Sequence, residues 1–297
     1  MMSNSTAIAI IVPKPVSAIP TCIEKIEAAR FAWDEFFRGQ LRNPHTRVAY
    51  MRAVRSFLEW AEKKSIPLTQ IEPGKVGEYF DQLEGSIPKK KLHLSALRAF
   101  FDVLVNRHVL ILNPAATVRG DRYRVVEGKT MEITPDQARR LLASIDTKHL
   151  IGRRDKAIIV TLIYTAARVG AVANLRLKDF VWDGSQYTLR FEEKGGQSRL
   201  IPVRHDLQLF LIAYRDEFDW QAEPKDSAFF RSVAGRTGKL TKKPLRGIDI
   251  CRMMKRRLEA AGLPEQLSPH SFRVATVTDL LTQGIALEDV QYLAGHA

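Results

Sequence analysis

Apolar residues recur at helical spacing through most of this chain, and the breaks fall where it supplies Pro, Gly or Asn. Between Thr21 and about Ala116 every periodic stretch reads as helix. A first helix is predicted from Ile23 to Phe37, stopped by Gly39. Asn43-Pro44 supplies a cap and a first turn for a second, ending near Lys64, with Tyr50, Val54, Phe57, Leu58 and Ala61 on its buried stripe. Pro73 opens a shorter helix through Leu83. After Gly85 and Pro88, Lys89-Lys90-Lys91 leads into a long amphipathic helix carrying Leu94, Leu97, Phe100, Phe101, Leu104 and Val105. Asn113-Pro114 closes this bundle.

The stretch 117–130 has no apolar period and is rich in Arg and Gly, as an interdomain linker would be. A second domain, 131–297, then starts at the capped helix opening Thr134-Pro135-Asp136. A strongly apolar helix is predicted from about Asp155 to Ala166. Two β-like runs, Tyr187 to Phe191 and Ser198 to Val203, flank a Gly-Gly turn and read as a hairpin. Helices return at His205 to Phe218, Asp249 to Ala261, Phe272 to Gln283 and Leu287 to Leu293. The expected fold is mainly α: residues 1–20 a tail, 21–116 a helical bundle, and after the linker a mainly helical domain with a small antiparallel sheet.

Composition adds one unusual feature. A chain of 297 residues with 45% hydrophobic and 27% charged positions is ordinary for two soluble domains, but its net charge is +13. Folding does not require that surplus; a polyanionic partner would exploit it, and ribosomal or membrane-surface attachment fits it too, so charge narrows the partner without settling it. Cys22 and Cys251 are read as free thiols of a reducing compartment, and no Cys/His spacing suggests zinc. The apolar run Ala7 to Val12 is too short to span a membrane, and a cytoplasmic protein is expected.

Four places in the second domain carry groups suited to phosphate. Arg168, in Thr165-Ala166-Ala167-Arg168-Val169-Gly170, follows an apolar helix. Lys194 stands at the hairpin's Gly-Gly tip. Ser268-Pro269-His270-Ser271-Phe272-Arg273 opens a helix with His270 and Arg273 on one face, and Ser268 is placed to accept an orphan N–H there. Leu293-Ala294-Gly295-His296 places a histidine just past a short helix. Taken singly, each also reads as a solvated helix end or an exposed turn residue.

Taken in order, Arg168, Lys194, His270-x-x-Arg273 and Gly295-His296 resemble the active site of the tyrosine recombinases, the phage-integrase family. Thr46-x-x-x-Tyr50, Phe57, Trp60, the run Leu94-Ser95-Ala96-Leu97-Arg98 and Asn113-Pro114 are similar to that family's helical, SAM-like core-binding domain. The likeness runs from about residue 25 to the end. It implies DNA strand cutting and rejoining through a 3′-phosphotyrosine, at paired sites, by a homo-tetramer. Arg168 and Arg273 would clamp the non-bridging oxygens, with His296 as a further donor. Lys194 would protonate the departing 5′ oxygen, and His270 would take the nucleophile's proton. No metal or cofactor is implied, because cationic side chains supply the charge.

Two positions depart from the family pattern. An acidic residue is common three places after the first arginine; here it is Ala171, leaving Arg168 to find a partner elsewhere, with Asp155 one candidate. The nucleophilic tyrosine is expected about eight to ten residues past His296, where it can return to the same pocket. The sequence given stops at Ala297. It is therefore expected to be truncated, cleavage-deficient as written, and open to being a monomer in solution. The rival expectation is a non-catalytic, sequence-specific DNA-binding protein with the same fold.

DNA contacts are expected along two strips. Arg231 to Arg257 holds ten Arg or Lys against the single acid Asp249, with Lys242, Lys243 and Arg246 leading into a basic helix. In the first domain Lys89, Lys90 and Lys91 open a helix, and by analogy with the family Arg47, Arg52, His93 and Arg98 face a groove.

Overall fold

Prolines sit in the first turn of five helices of the structure, a computed structural model that describes residues 19–122, 128, 130–192, 198–235 and 237–295. The chain divides into two compact units, Met1–Val126 and Glu127–Ala297. In the first, α1 (Thr21–Glu24) and α2 (Glu27–Asp34) precede α3 (Pro44–Lys63), α4 (Pro73–Gln82) and α5 (Ile87–Asn106). Asn43 caps α3 by accepting from the N–H groups of His45 and Thr46, and Pro44 fills the first turn.

The first predicted helix is not continuous. Ile26 is extended, with φ −119°, and separates α1 from α2, while Glu62 takes the N–H of Cys22 and ties α1 to α3. Beyond Asp34 the chain winds as a π-helical turn, Glu35–Gln40, which runs through Gly39 instead of stopping there. The wider turn sends neighbouring Phe36 and Phe37 into one core with Trp33 and Phe100. α3 and α5 supply the rest of that core through Phe57, Leu58, Leu97 and Phe101, all fully buried.

The second unit begins with α6 (Pro135–Ala143), where Thr134 and Gln137 cap each other reciprocally. α7 (Leu150–Thr165) and the short α8 (Val169–Asn174) lead to an antiparallel sheet of β1 (Phe180–Trp182), β2 (Tyr187–Glu192) and β3 (Ser198–Pro202), in that order. Leu189 faces Ile201 across the hairpin and Phe191 faces Arg199. The five residues joining β2 to β3 lie outside the described residues. Next come α9 (His205–Arg215), the pair β4 (Arg231–Val233) and β5 (Leu240–Pro244), then α10 (Gly247–Ala260), α11 (Pro269–Thr282) and α12 (Leu287–Ala294).

α7 is the spine of this unit. Ile158, Ile159, Val160 and Leu162 are at most 1% exposed, so the helix is covered nearly all round, against α9 on one side and α11 on another. Asp155 on α7 is 1% exposed and accepts paired bonds from Arg154 at one oxygen and from Arg257 of α10 at the other. Burying that carboxylate without them would cost several kcal/mol, about 3–5 on loss of a partner, so the pairing fixes α10 against α7.

Candidate active site

The site is built where α7 stops. Thr165 ends the helix; its hydroxyl donates to Thr161 O and accepts from Ala167 N–H. Between them Ala166 takes the left-handed conformation, φ 48° and ψ 21°, which costs a non-glycine residue about 1–2 kcal/mol. This reverses the chain so that Arg168 becomes the extended residue before α8. Ala166 O then accepts from Arg273 Nη1 at 2.7 Å. Arg273 sits in the first turn of α11 and is only 5% exposed. One turn further on, Thr276 Oγ1 donates to Ile163 O at 2.6 Å, a second stitch between α11 and the end of α7.

Arg168, by contrast, is exposed. Its Nη1 and Nη2 both donate to Gly295 O, each at 3.1 Å, and Gly295 adopts φ 60° at the end of α12. His270 is exposed on the first turn of α11, whose start is held by the Ser271 hydroxyl accepting from Ser268 N–H. The Ser268 side chain in turn meets the Ser271 N–H, the direction expected of it, so the two serines form a reciprocal capping box. Ala167, Arg168, Val169, Cys251, Ser268, Pro269, His270 and Arg273 line one cleft, with no carboxylate among them. Two guanidinium groups and an imidazole facing a cleft whose described lining holds no carboxylate suit an oxyanion bearing more than one charge. Burial pushes the Cys251 thiol up, so the sulfur lines the cleft in its neutral form.

Of the five residues expected at the site, the structure brings Arg168, His270 and Arg273 together; Lys194 and His296 lie outside the described residues. Asp155 does not partner Arg168, because both its oxygens are taken by Arg154 and Arg257. The sequence reading missed the two carbonyls that anchor the arginines, at Ala166 and Gly295, and the Cys251 wall. The glycine before His296 was a visible signal for the second; nothing marks Ala166.

The expected DNA strip of the first unit is placed differently residue by residue. Arg52 and Lys91 are exposed. Lys89 donates to Glu84 O and Lys90 to Phe80 O. Arg47 bonds Leu41 O through Nε and Nη2. Arg98 reaches Ala115 O and Val118 O. His93 turns inward: it is 7% exposed, and its Nδ1 lies 2.9 Å from the Tyr79 hydroxyl, so it does not face a groove. In the second unit Lys243 is exposed, Lys242 pairs with Glu223, and Arg246 pairs with Asp249. Among the described residues no three His, Cys, Asp or Glu side chains converge to hold a metal, and no helix is long and apolar enough to cross a membrane.

Comparison with known proteins places this geometry. Residues 132–297 match the phage integrase family, and residues 33–108 match the phage integrase N-terminal SAM-like domain. The tyrosine recombinase XerC of Anoxybacillus flavithermus is 28% identical over 270 residues, covering 85% of this chain and 83% of its own. The tyrosine recombinase XerD of Chlorobaculum tepidum is 26% identical, covering 85% and 82%. Among solved structures, the Tn1549 transposon integrase in complex with circular intermediate DNA superposes with TM-score 0.66 at 18% identity, covering 91% of each chain. A lambda integrase dimer bound to a core site gives 0.65 at 20%, covering 91% and 93%. The chain belongs to the phage integrase family, the tyrosine recombinases.

Proposed function

We propose that this chain is a site-specific DNA recombinase whose catalytic unit grips the phosphate at the exchange point between Arg168 and Arg273. The observation that carries the reading is the placement of both guanidinium groups and His270 on one cleft whose described lining holds no carboxylate. In the reaction, a tyrosine oxygen attacks phosphorus, the P–O5′ bond breaks, and the 3′ phosphate becomes esterified to tyrosine. Negative charge grows on the non-bridging oxygens, which Arg168, Arg273 and His296 would neutralise. His270 would accept the phenolic proton, and Lys194 would deliver one to the departing 5′ oxygen. The reverse step, attack by another strand's 5′ hydroxyl, rejoins DNA. Relatives and structural neighbours named as recombinases or integrases, several bound to DNA and one as a tetramer on a Holliday junction, support a duplex partner and assembly on paired sites. The cytoplasm is the compartment that fits such a partner.

We infer further that none of the six tyrosines among the described residues is the nucleophile. Tyr164 donates to Asp206, Tyr214 is buried with its oxygen on Arg231 N–H, and Tyr79 is buried between Ser56 and His93. Tyr50 and Tyr187 pack in aromatic clusters, and Tyr292 bonds the backbone of β3. A duplex selected from a random pool by binding to the protein, then nicked near its centre, tests both. Sequence-selective binding without an SDS-stable adduct is expected of residues 1–297. An adduct mapping to any of these tyrosines overturns the second inference, and the absence of any sequence preference overturns the first.

A further inference from the structure

α12 is a short helix with little to hold it. Only Val290 and Ala294 are buried, and Leu287 and Tyr292 are more than half exposed. Its Gly295 nevertheless supplies the carbonyl on which the fork of Arg168 rests. Something must fix that carbonyl, because a guanidinium oriented by a loose acceptor is itself loose.

Tyr292 supplies a tether. β3 is the outer strand of its sheet, and Leu200, directly opposite Arg190 on β2, turns its peptide groups away from that neighbour. The Tyr292 hydroxyl satisfies both: it accepts from Leu200 N–H at 3.3 Å and donates to Leu200 O at 3.2 Å. One phenol thus makes the pair of bonds that another strand's peptide would make. Arg199, 3% exposed, adds a longer contact from Nη1 to Tyr292 O at 3.5 Å. Gly295 N–H donates to Tyr292 O at 3.0 Å, so the tethered residue and the carbonyl that meets Arg168 lie within one turn. The path is continuous from β3 through Tyr292 and Gly295 to Arg168.

We propose that Tyr292 is a positioning residue for Arg168, acting through the end of α12. This rests on the phosphate-clamp reading of the cleft. Tyr292 touches neither phosphate nor the reacting atoms. Its hydroxyl decides where Gly295 O stands, and therefore how the Arg168 fork is aimed. It also makes the β2–β3 hairpin and Arg168 parts of one tethered assembly.

The test is a double-mutant cycle on the affinity of residues 1–297 for inorganic phosphate, read by titration against the wild type, Tyr292→Phe, Arg168→Lys and the double variant. Tyr292→Phe keeps the ring and removes both hydroxyl bonds. It is expected to weaken phosphate binding about two- to tenfold, the range for the removal of one or two hydrogen bonds. In the Arg168→Lys background the same substitution should change affinity less than about twofold, because the fork it served is gone. Equal losses in both backgrounds, or no loss in either, overturn the positioning role. Hydrogen exchange separates a general loosening from the tether: Tyr292→Phe should speed exchange at Leu200 and residues 290–295 while leaving α7 unchanged. Faster exchange throughout the unit would also overturn it. If the wild type and Arg168→Lys bind phosphate equally, the clamp reading itself fails, and that outcome is distinct from an additive cycle.

Discussion

Arg273 and Arg168 do the same proposed job from opposite environments, and the contrast is measurable. Arg273 is 5% exposed with Nη1 on Ala166 O, so Arg273→Ala leaves a buried carbonyl short of its donor and opens a void. Urea unfolding should show a loss of about 1–3 kcal/mol. Arg168 is exposed, and Arg168→Ala should stay within about 0.5 kcal/mol of wild type while weakening phosphate binding just as clearly. Equal stability losses would mean the two are not held as described. The sequence singled out these two arginines through the family resemblance; their spacing to histidine and helix starts shows only that a clamp is possible. It could not show their anchors. The same limit explains Arg98, whose carbonyl partners stand 17 and 20 residues downstream, and His93, whose helix position is compatible with either face until Tyr79 is placed.

His93 carries a pH consequence. Burial, and secondarily the nearby Lys89, hold its pKa below the ordinary value, so the folded state resists protonation that the unfolded chain accepts. Stability is then full above about pH 6.5 and falls as pH drops through that value towards the depressed folded pKa. The urea midpoint of wild type should decline between about pH 7.5 and about pH 5.5, and His93→Gln should flatten that part of the curve. An unchanged slope in the variant would place the titration elsewhere. Glu35 and Glu78, held low by Arg107 and by Lys64 and Lys75, add their losses only at lower pH.

At the scale of elements, helix starts were the most legible feature: Pro44, Pro73, Pro135 and Pro269 each open the helix they announce. The β2–β3 hairpin was legible for the same reason, a two-residue period around glycines. β1, β4 and β5 were not. Each has three to five residues, and β5 reads Leu-Thr-Lys-Lys-Pro, a polar stretch whose strand character comes only from pairing with β4. The π turn at Glu35–Gln40 is likewise a product of packing two phenylalanines into one core. α7 makes the sharpest demand on a single position. A Cβ on Gly152 would stand 1.7 Å from Asp146 O, a backbone atom that cannot swing aside. Gly152→Ala should therefore destabilise by about 3 kcal/mol or more, the upper end of overpacking, or prevent folding. A melting temperature within about a degree of wild type would contradict the approach of the 146–152 loop to α7.

At the scale of the molecule, Arg154, Arg199, Arg231 and Arg273 are buried in the second unit, but much of the cationic surplus behind the net charge of +13 is laid out on surfaces. Lys243, Arg252, Lys255 and Arg256 are exposed, so the affinity for duplex DNA should fall steeply as salt rises. Replacing Lys243, Lys255 and Arg256 by Gln should make the slope of log K against log salt shallower by about one for each phosphate left without its cation, whereas Arg52→Gln alone should lower it by at most about one. A mainly helical fold was readable from period; which phosphates each surface meets is a property of the complex and has no local signal in the chain.

The central claim is that Arg168 and Arg273 hold one particular phosphate, and methylphosphonate interference addresses it directly. In a duplex selected for binding, each phosphate in turn is made neutral and the affinity remeasured. Wild type should lose affinity sharply at one phosphate per half-site, on top of a shallow background along the backbone. In the Arg168→Ala, Arg273→Ala variant that sharp position should vanish while the background persists. The same interference pattern in both proteins would contradict the clamp.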